Sequence, residues 1–300
     1  SMASPSILIL FFLSRYFPSG TCFARLHPSV KKSIKTRRKY VSLDFVKLLQ
    51  YLAKLIIVTK MLSKNIIKHL NALQRKKFRN EFGEFILEGE KMVLEAVQMF
   101  RERIVKVYCL PEFAAENNLS GVDFEVIEEK GLKQISGLTT PNKALAVLRQ
   151  EVASAEKSDF YLALDSIQDP GNMGTIIRLA DWFGLKQIIC SPDCVDCYNP
   201  KVVQATMGSI LRVRLHYADL SGFLKETDLP VFGALLNGEN VYQKQLNRNG
   251  ILLMGNEGNG IRPELLPLIS SPLTIPRFGE AESLNVGIAT AILLSEFSRG

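Results

Sequence analysis

From Ser63 onward, apolar and polar positions fall into blocks that switch between a period of two and a period near 3.6, the mark of strands and helices following one another. A basic helix over 65–78 leads to a strand at 84–87 and a helix at 90–100. A strand at 104–110, a helix at 112–117, a strand at 124–127, a short helix around Leu132 and a strand at 144–149 follow. The small polar stretch EVASAEKS at 151–158 carries no apolar period and reads as a linker. Beyond it the pattern resumes with strands at 160–165, 187–190, 211–216, 230–234 and 251–254, with helices between them, one opening near Lys201. A short strand containing Leu273 and Ile275 then precedes a last helix. The alternation predicts an α/β chain: a small module at 61–150, a linker at 151–158 and a larger α/β domain at 159–300. In the last helix Ser283 stands where an N-cap is expected, so that Leu284 and Asn285 would begin the helix. Ser283, Gly287 and Ala291 recur every four residues, a bare stripe that another backbone can approach closely.

The first sixty residues do not share this organisation. They hold eleven Lys or Arg against the single acid Asp44, a balance of +10, which leaves −3 for residues 61–300 out of the formal +7 of the whole chain. A grip on a polyanion by the organised part must therefore come from local patches, and Lys68, Arg75, Lys76, Lys77 and Arg79 supply one. That patch reads either as a solvated helix face or as a phosphate-contacting surface. The segment 1–60 reads as an extension that binds RNA or a membrane surface, as an Arg-rich targeting segment, or as sequence upstream of a native start at Met61. The last is favoured because regular patterning begins there, and Ser1 before Met2 reads as a residue left by tag removal. No stretch reaches the roughly 18 uninterrupted apolar residues of a membrane span. With 47% hydrophobic and 22% charged residues, a soluble, cytoplasmic chain is expected. Cys22, Cys109, Cys190, Cys194 and Cys197 are odd in number and scattered, which argues for reduced thiols. The C-x3-C-x2-C run at 190–197 lacks a second pair, so free thiols in a loop are favoured over zinc and no metal is expected.

Candidate chemistry gathers in three loops. The first is DPGNMG, at 169–174, followed by a helix that carries Arg178. If Asn172 caps that helix, Arg178 lies about a turn and two-thirds further on, off the same face. The second is GNEGNG, at 255–260, directly after the strand ILLM, where glycines allow a ligand close to the backbone around Glu257. The third is the approach to the last helix, through Gly279 to Ser283. Neither glycine pattern matches a P-loop or a dinucleotide fingerprint. The three histidines (His27, His69, His216) lie outside all three loops, which counts against a Ser-His-Asp triad.

NMGTIIRLA, MGNEGNGI and IPRFGEAESLNVGIA, in that order and at those distances, resemble the three motifs of the SpoU (TrmH-type) RNA 2′-O-ribose methyltransferases of the SPOUT superfamily. The likeness covers about residues 61–297, since the family often carries an N-terminal RNA-binding module resembling certain ribosomal proteins. It implies a homodimer whose C-terminal domain has a parallel sheet and a deep trefoil knot. It further implies S-adenosylmethionine as cofactor, held near Met254, Gly255, Asn256, Gly258, Ile275, Leu284 and Asn285. By the same likeness, Asn172, Arg178, Glu257, Ser283 and Asn285 form the catalytic site, and the substrate is structured RNA, rRNA favoured over tRNA. The sequence departs from the commonest family pattern at Arg277 and Phe278, where the loop is usually less bulky, and at Gly287, which bears on the shape of the cofactor pocket. The alternatives are an rRNA methylase that confers antibiotic resistance, a base-methylating relative, or an RNA-binding protein that keeps the fold without catalysis.

Overall fold

The computed structural model describes residues 61–151 and 154–299, so the expectations for 1–60 and for part of the 151–158 linker lie outside the described residues. The first module is a four-stranded sheet, β1 (Glu84–Glu88), β2 (Ile104–Cys109), β3 (Phe124–Val126) and β4 (Ala144–Arg149), in the order β1-β4-β2-β3. Strand β4 runs antiparallel to both neighbours, while β2 and β3 are parallel. Helix α3 (Glu90–Met99) covers one face through Met92, Val93, Ala96 and Val97, all buried. Ile86, Tyr108, Leu145 and Val147 on the other face pack under α1 (Lys64–Ala72) and α5 (Glu129–Ile135). The short helix α4 (Pro111–Glu116) begins with proline at its first turn, where the missing N–H costs no hydrogen bond.

The single basic helix expected over 65–78 is two helices, α1 and α2 (Lys76–Phe82). Arg79 explains the break. It is 2% exposed, and its guanidinium donates to the Leu73 carbonyl at the end of α1 (2.9 Å) and to Asp196 of the second domain (2.6 Å). Arg79 is therefore a tie between elements, and its expected role as an RNA contact gives way to that structural one. Lys68, Arg75, Lys76 and Lys77 remain exposed.

The second domain is a fully parallel six-stranded sheet in the order β10-β8-β9-β5-β6-β7: β5 (Phe160–Leu164), β6 (Gln187–Cys190), β7 (Arg214–Tyr217), β8 (Val231–Asn240), β9 (Gly250–Met254) and β10 (Ser271–Thr274). Strands β5, β6 and β9 are buried at every position, as parallel strands covered on both faces must be. Helices α6 (Pro170–Trp182) and α9 (Val286–Arg299) lie against one face, where Phe297 meets Phe160 and Phe232 with ring centroids 5.0 Å away in each case. Helix α8 (Leu220–Lys225) covers the other face with Leu220 and Leu224. The three thiols are free as expected: Cys190 ends β6 while Cys194 and Cys197 lie in the loop after it, and all three are buried against the core.

Between β5 and β9 the chain reverses its direction of travel across the sheet, and the loops leaving both strands emerge at the same, carboxyl end. This switch point is where open α/β sheets bind ligands. Two close approaches shape the region. A Cβ on Gly174 would lie 2.3 Å from Ala205 Cβ, so helix α7 (Pro200–Thr206) can press on α6 only because position 174 is bare. Strand β10 passes so near β8 that a Cβ on Gly238 would lie 2.6 Å from the Leu273 carbonyl carbon, beside a register shift between Pro272 and Leu273.

Removing the Arg79 side chain leaves the largely buried Asp196 carboxylate with the Tyr198 N–H (3.0 Å) but without its ion-pair partner, so Arg79→Met should cost about 3–5 kcal/mol in urea unfolding. Lys77→Ala, on the exposed face, should shift stability by less than about 0.5 kcal/mol. An equal, small effect of the two would contradict the structural role of Arg79.

Candidate functional site

Helix α6 opens with two devices. Asp169 caps it, its carboxylate accepting from the Asn172 backbone N–H at 2.8 Å, and Pro170 occupies the first turn. Asn172 is thus within the first turn, not at the cap as the sequence allowed, and its amide is free to reach outward. That amide donates to Glu257 Oε1 (2.8 Å), while its oxygen accepts from Asn285 Nδ2 (2.8 Å).

Each partner is fixed independently. Glu257 rides on the turn 255–260, where Asn256 and Gly260 exchange backbone hydrogen bonds of 2.9 Å. The Asn256 side chain accepts from the Gly258 and Asn259 N–H groups (2.9 and 3.1 Å). A Cβ on Gly255 would lie 2.3 Å from the Gly260 carbonyl carbon, so only glycine closes this turn. Asn285 caps α9: its side-chain oxygen accepts from Gly287 N (2.9 Å) and Ile288 N (3.3 Å), and its carbonyl from Ala289 N (2.9 Å). The cap expected at Ser283 therefore belongs to Asn285, two residues later, and α9 starts at Val286. The amide orientations follow from chemistry. A carboxylate only accepts, so Asn172 must face Glu257 with its NH2; the Asn285 oxygen is spent on the helix, so its NH2 must face Asn172.

Three loops distant in sequence thus meet in one hydrogen-bonded chain, Glu257–Asn172–Asn285. The other expected catalytic residues lie outside it. Ser283 is exposed and makes no hydrogen bond to this group. Arg178 stands on the exposed face of α6 with Thr175 and Trp182, and it makes no ion pair or hydrogen bond among the described residues. Ideal helix geometry puts it about 9 Å along the axis from Asn172 and about 120° around it. The bare stripe is partly realised: a Cβ on Gly287 would lie 3.0 Å from Thr175 Cγ2, which brings α9 onto α6, whereas Ser283 is off the helix. Of the expected cofactor residues, Met254 is buried at the end of β9, and Gly255, Asn256 and Gly258 form the turn beyond it. Ile275 is half-buried after β10, and Leu284 is half-exposed before the Asn285 cap.

Behind the chain lies a layer of charge that sequence reasoning missed. Asp165, directly after β5, is 0% exposed. Its carboxylate accepts from the Arg262 backbone N–H (2.9 Å) and from Arg262 Nε (2.7 Å). Ser166 takes φ +58°, donates its N–H to Ser191 Oγ (2.9 Å) and offers its carbonyl to Asn256 Nδ2 (2.8 Å). The Ser166 hydroxyl donates to Asp193. Burial pushes the Asp193 carboxyl up, but hydrogen bonds from Ser166 and Ser191 and the Arg262 charge outweigh it and hold it below the usual carboxylate range. The available signal was an acid closing an otherwise apolar strand, FYLAL followed by Asp165.

Comparison with known proteins places this geometry. Residues 159–295 match the SpoU rRNA Methylase family, and residues 64–146 match the MRM3-like substrate binding domain. The chain is 32% identical over 239 residues to the 23S rRNA (guanosine(2553)-2′-O)-methyltransferase RlmP of Bacillus subtilis, an alignment spanning 76% of this chain and 94% of the relative. Among solved structures, a TrmH-family protein from Porphyromonas gingivalis superposes with a TM-score of 0.71 at 38% identity, covering 79% of this chain and 98% of the other. An rRNA methyltransferase from Sinorhizobium meliloti with AdoMet bound superposes with a TM-score of 0.70 at 31% identity, covering 81% and 97%. A parallel-sheet domain matched by the family's own model and a relative aligned over nearly its full length establish that the chain belongs to the SpoU methylase family of the SPOUT superfamily.

Proposed function

We propose that the protein transfers a methyl group from S-adenosylmethionine to a ribose 2′-hydroxyl of structured RNA, rRNA foremost. The observation that carries this reading is the Glu257–Asn172–Asn285 chain at the switch point of the sheet, within a fold whose relatives include a named 23S rRNA 2′-O-methyltransferase. The module at 64–146, with Lys68, Arg75, Lys76 and Lys77 exposed, would hold the RNA. RNA rather than DNA follows from the 2′-hydroxyl being the acceptor.

The residues present fit the methyl donor. Ile275 and Leu284 offer apolar surface for an aromatic ring. Gly258 and Gly260 leave the backbone of the 255–260 turn bare, and beside Gly260 and Gly279 no atom lies within 4 Å of where a Cβ would stand. When bound, S-adenosylmethionine supplies a methyl group on a sulfonium whose departure leaves a neutral thioether. The protein's task is then to orient the hydroxyl and ease loss of its proton. Glu257 offers a carboxylate acceptor for that hydroxyl, and Asn172 fixes the direction in which the carboxylate points. The Arg178 guanidinium is a planar fork of donors with no acceptor, so it grips a neighbouring phosphate or orients the hydroxyl. Ser283 lends a further hydroxyl once RNA is bound.

A homodimer completes the site. The face of α6 bearing Thr175, Arg178 and Trp182, the last 84% exposed, meets the start of α9 where Thr175 packs on Gly287, and Leu284 and Ile288 near that start are exposed as well, so apolar surface and an unpaired arginine are available for a second copy to cover. The knotted C-terminal crossing implied by the family belongs to the same proposal.

With labelled donor, rRNA from cells lacking the gene should gain label in fragments that resist alkali at the modified position. Label in alkali-sensitive nucleotides would indicate base methylation instead. Arg178→Lys should lower kcat/KM by roughly 10- to 1,000-fold, whereas near-full turnover would show that the fork is dispensable. Asn285→Asp keeps the helix cap and loses the donor to Asn172, so it should hold stability within about 0.5 kcal/mol while turnover falls. Asn285→Ala should also cost about 1 kcal/mol of stability. Equal turnover in Asn285→Asp and the unmodified protein would remove this link from the mechanism.

A further inference from the structure

The turn that carries Glu257 is fastened to the rest of the site by more than its own hydrogen bonds. It begins at the end of β9 and is pinned on both sides to the two residues that follow β5. On its near side, Asn256 donates to the Ser166 carbonyl (2.8 Å). On its far side, Arg262 closes a two-point clasp on Asp165 through its backbone N–H (2.9 Å) and its Nε (2.7 Å). The same segment, 165–172, continues through the Asp169 cap into Asn172. Asp165 and Ser166 therefore hold both the donor side and the acceptor side of the 2.8 Å bond between Asn172 and Glu257.

We propose that Asp165 and Arg262 are positioning residues that set the distance between Glu257 and Asn172, and with it the placement of the acceptor hydroxyl.

The chemistry of the clasp favours this use. A carboxylate with no exposed surface is costly unless ionic and hydrogen-bonded partners satisfy it, so the arrangement tolerates one geometry and resists drift. Arg262 supplies both partners from one residue, which couples the side-chain ion pair to the path of the backbone just past the turn. It is itself surrounded by acids, with Asp193 3.9 Å and Glu264 3.7 Å from its guanidinium. Burial works against the Arg262 charge, but the attraction of Asp165 and these acids outweighs it and keeps the guanidinium pKa raised. Ser166, held at φ +58° although it carries a side chain, shows that the backbone accepts strain here to keep Asn256 in reach. Two tethers flanking one turn give a rigid mount for a carboxylate whose direction matters.

The inference rests on the proposed methyl transfer for its kinetic consequence, and a second readout tests it without turnover. Amide hydrogen exchange is followed in the full-length protein and in Arg262→Gln and Arg262→Lys. Lys keeps the charge opposite Asp165 and so preserves the fold if Gln does not. In either variant, exchange across 256–260 should rise at least about tenfold, with the interior of β9 and of α6 unchanged. Kinetically, Arg262→Lys should reduce kcat by roughly 10- to 100-fold with the KM for RNA little altered, the scale expected of a misplaced catalytic group. In a Glu257→Gln background the same substitution should lower kcat less than about threefold further, while its effect on the urea midpoint is the same in both backgrounds. Unchanged exchange at 256–260, or an equal kcat penalty with and without Glu257, overturns the proposal. Absence of methyl transfer by the unsubstituted protein would count against the proposed function alone, since the exchange result decides the clasp.

Discussion

The candidate site is organised around a single bidirectional side chain. Asn172 can give a hydrogen bond to Glu257 and take one from Asn285 at the same moment, which no carboxylate, lysine or arginine could do in that place. Its position is set by a helix cap, that of Glu257 by a glycine-closed turn, and that of Asn285 by a second helix cap. Each local device is worth about 1 kcal/mol, yet together they bring residues 113 positions apart into contact. The parallel sheet makes this economical, because every one of these loops leaves at the same edge, around the point where strand order reverses.

Much of this was legible in the sequence, and for identifiable reasons. Continuous apolar runs such as ILLM at 251–254 can only be strands or buried helix, and the glycines that follow decide for a strand and turn. The three loops were recognisable because Asn172, Glu257 and Asn285 are polar residues between apolar elements without a scaffold role that pattern alone supplies. What escaped was what depends on side-chain reach. The helix expected over 65–78 breaks because Arg79 turns inward to Asp196, 117 residues away, and no local propensity encodes that distance. Ser283 and Asn285 are both good caps, and residue type alone does not separate two candidates two positions apart; the structure caps the helix with Asn285, whose free NH2 then faces Asn172.

The same limit explains the missed second layer. Asp165 looks like an ordinary strand terminus until Arg262 is seen to wrap both its backbone N–H and its guanidinium around the carboxylate. Gly174 looks like an N-terminal helix filler until α7 arrives at its α-carbon. The site is therefore two shells of unequal visibility. The inner one has residue types that advertise themselves, and the outer one has residues whose meaning is purely geometric. Arg178 belongs to neither within one chain, which is why the role proposed for it involves RNA and a second copy.

In the proposed reaction the 255–260 turn, the start of α6 and the start of α9 together hold a sulfonium donor against a sugar hydroxyl. The most direct measurement is a crystal structure with S-adenosylmethionine bound. It should show the donor against the 255–260 turn between Ile275 and Leu284, its methyl facing the side where Asn172 and Glu257 meet. A donor bound elsewhere, or one whose methyl points away from that pair, would contradict the claim.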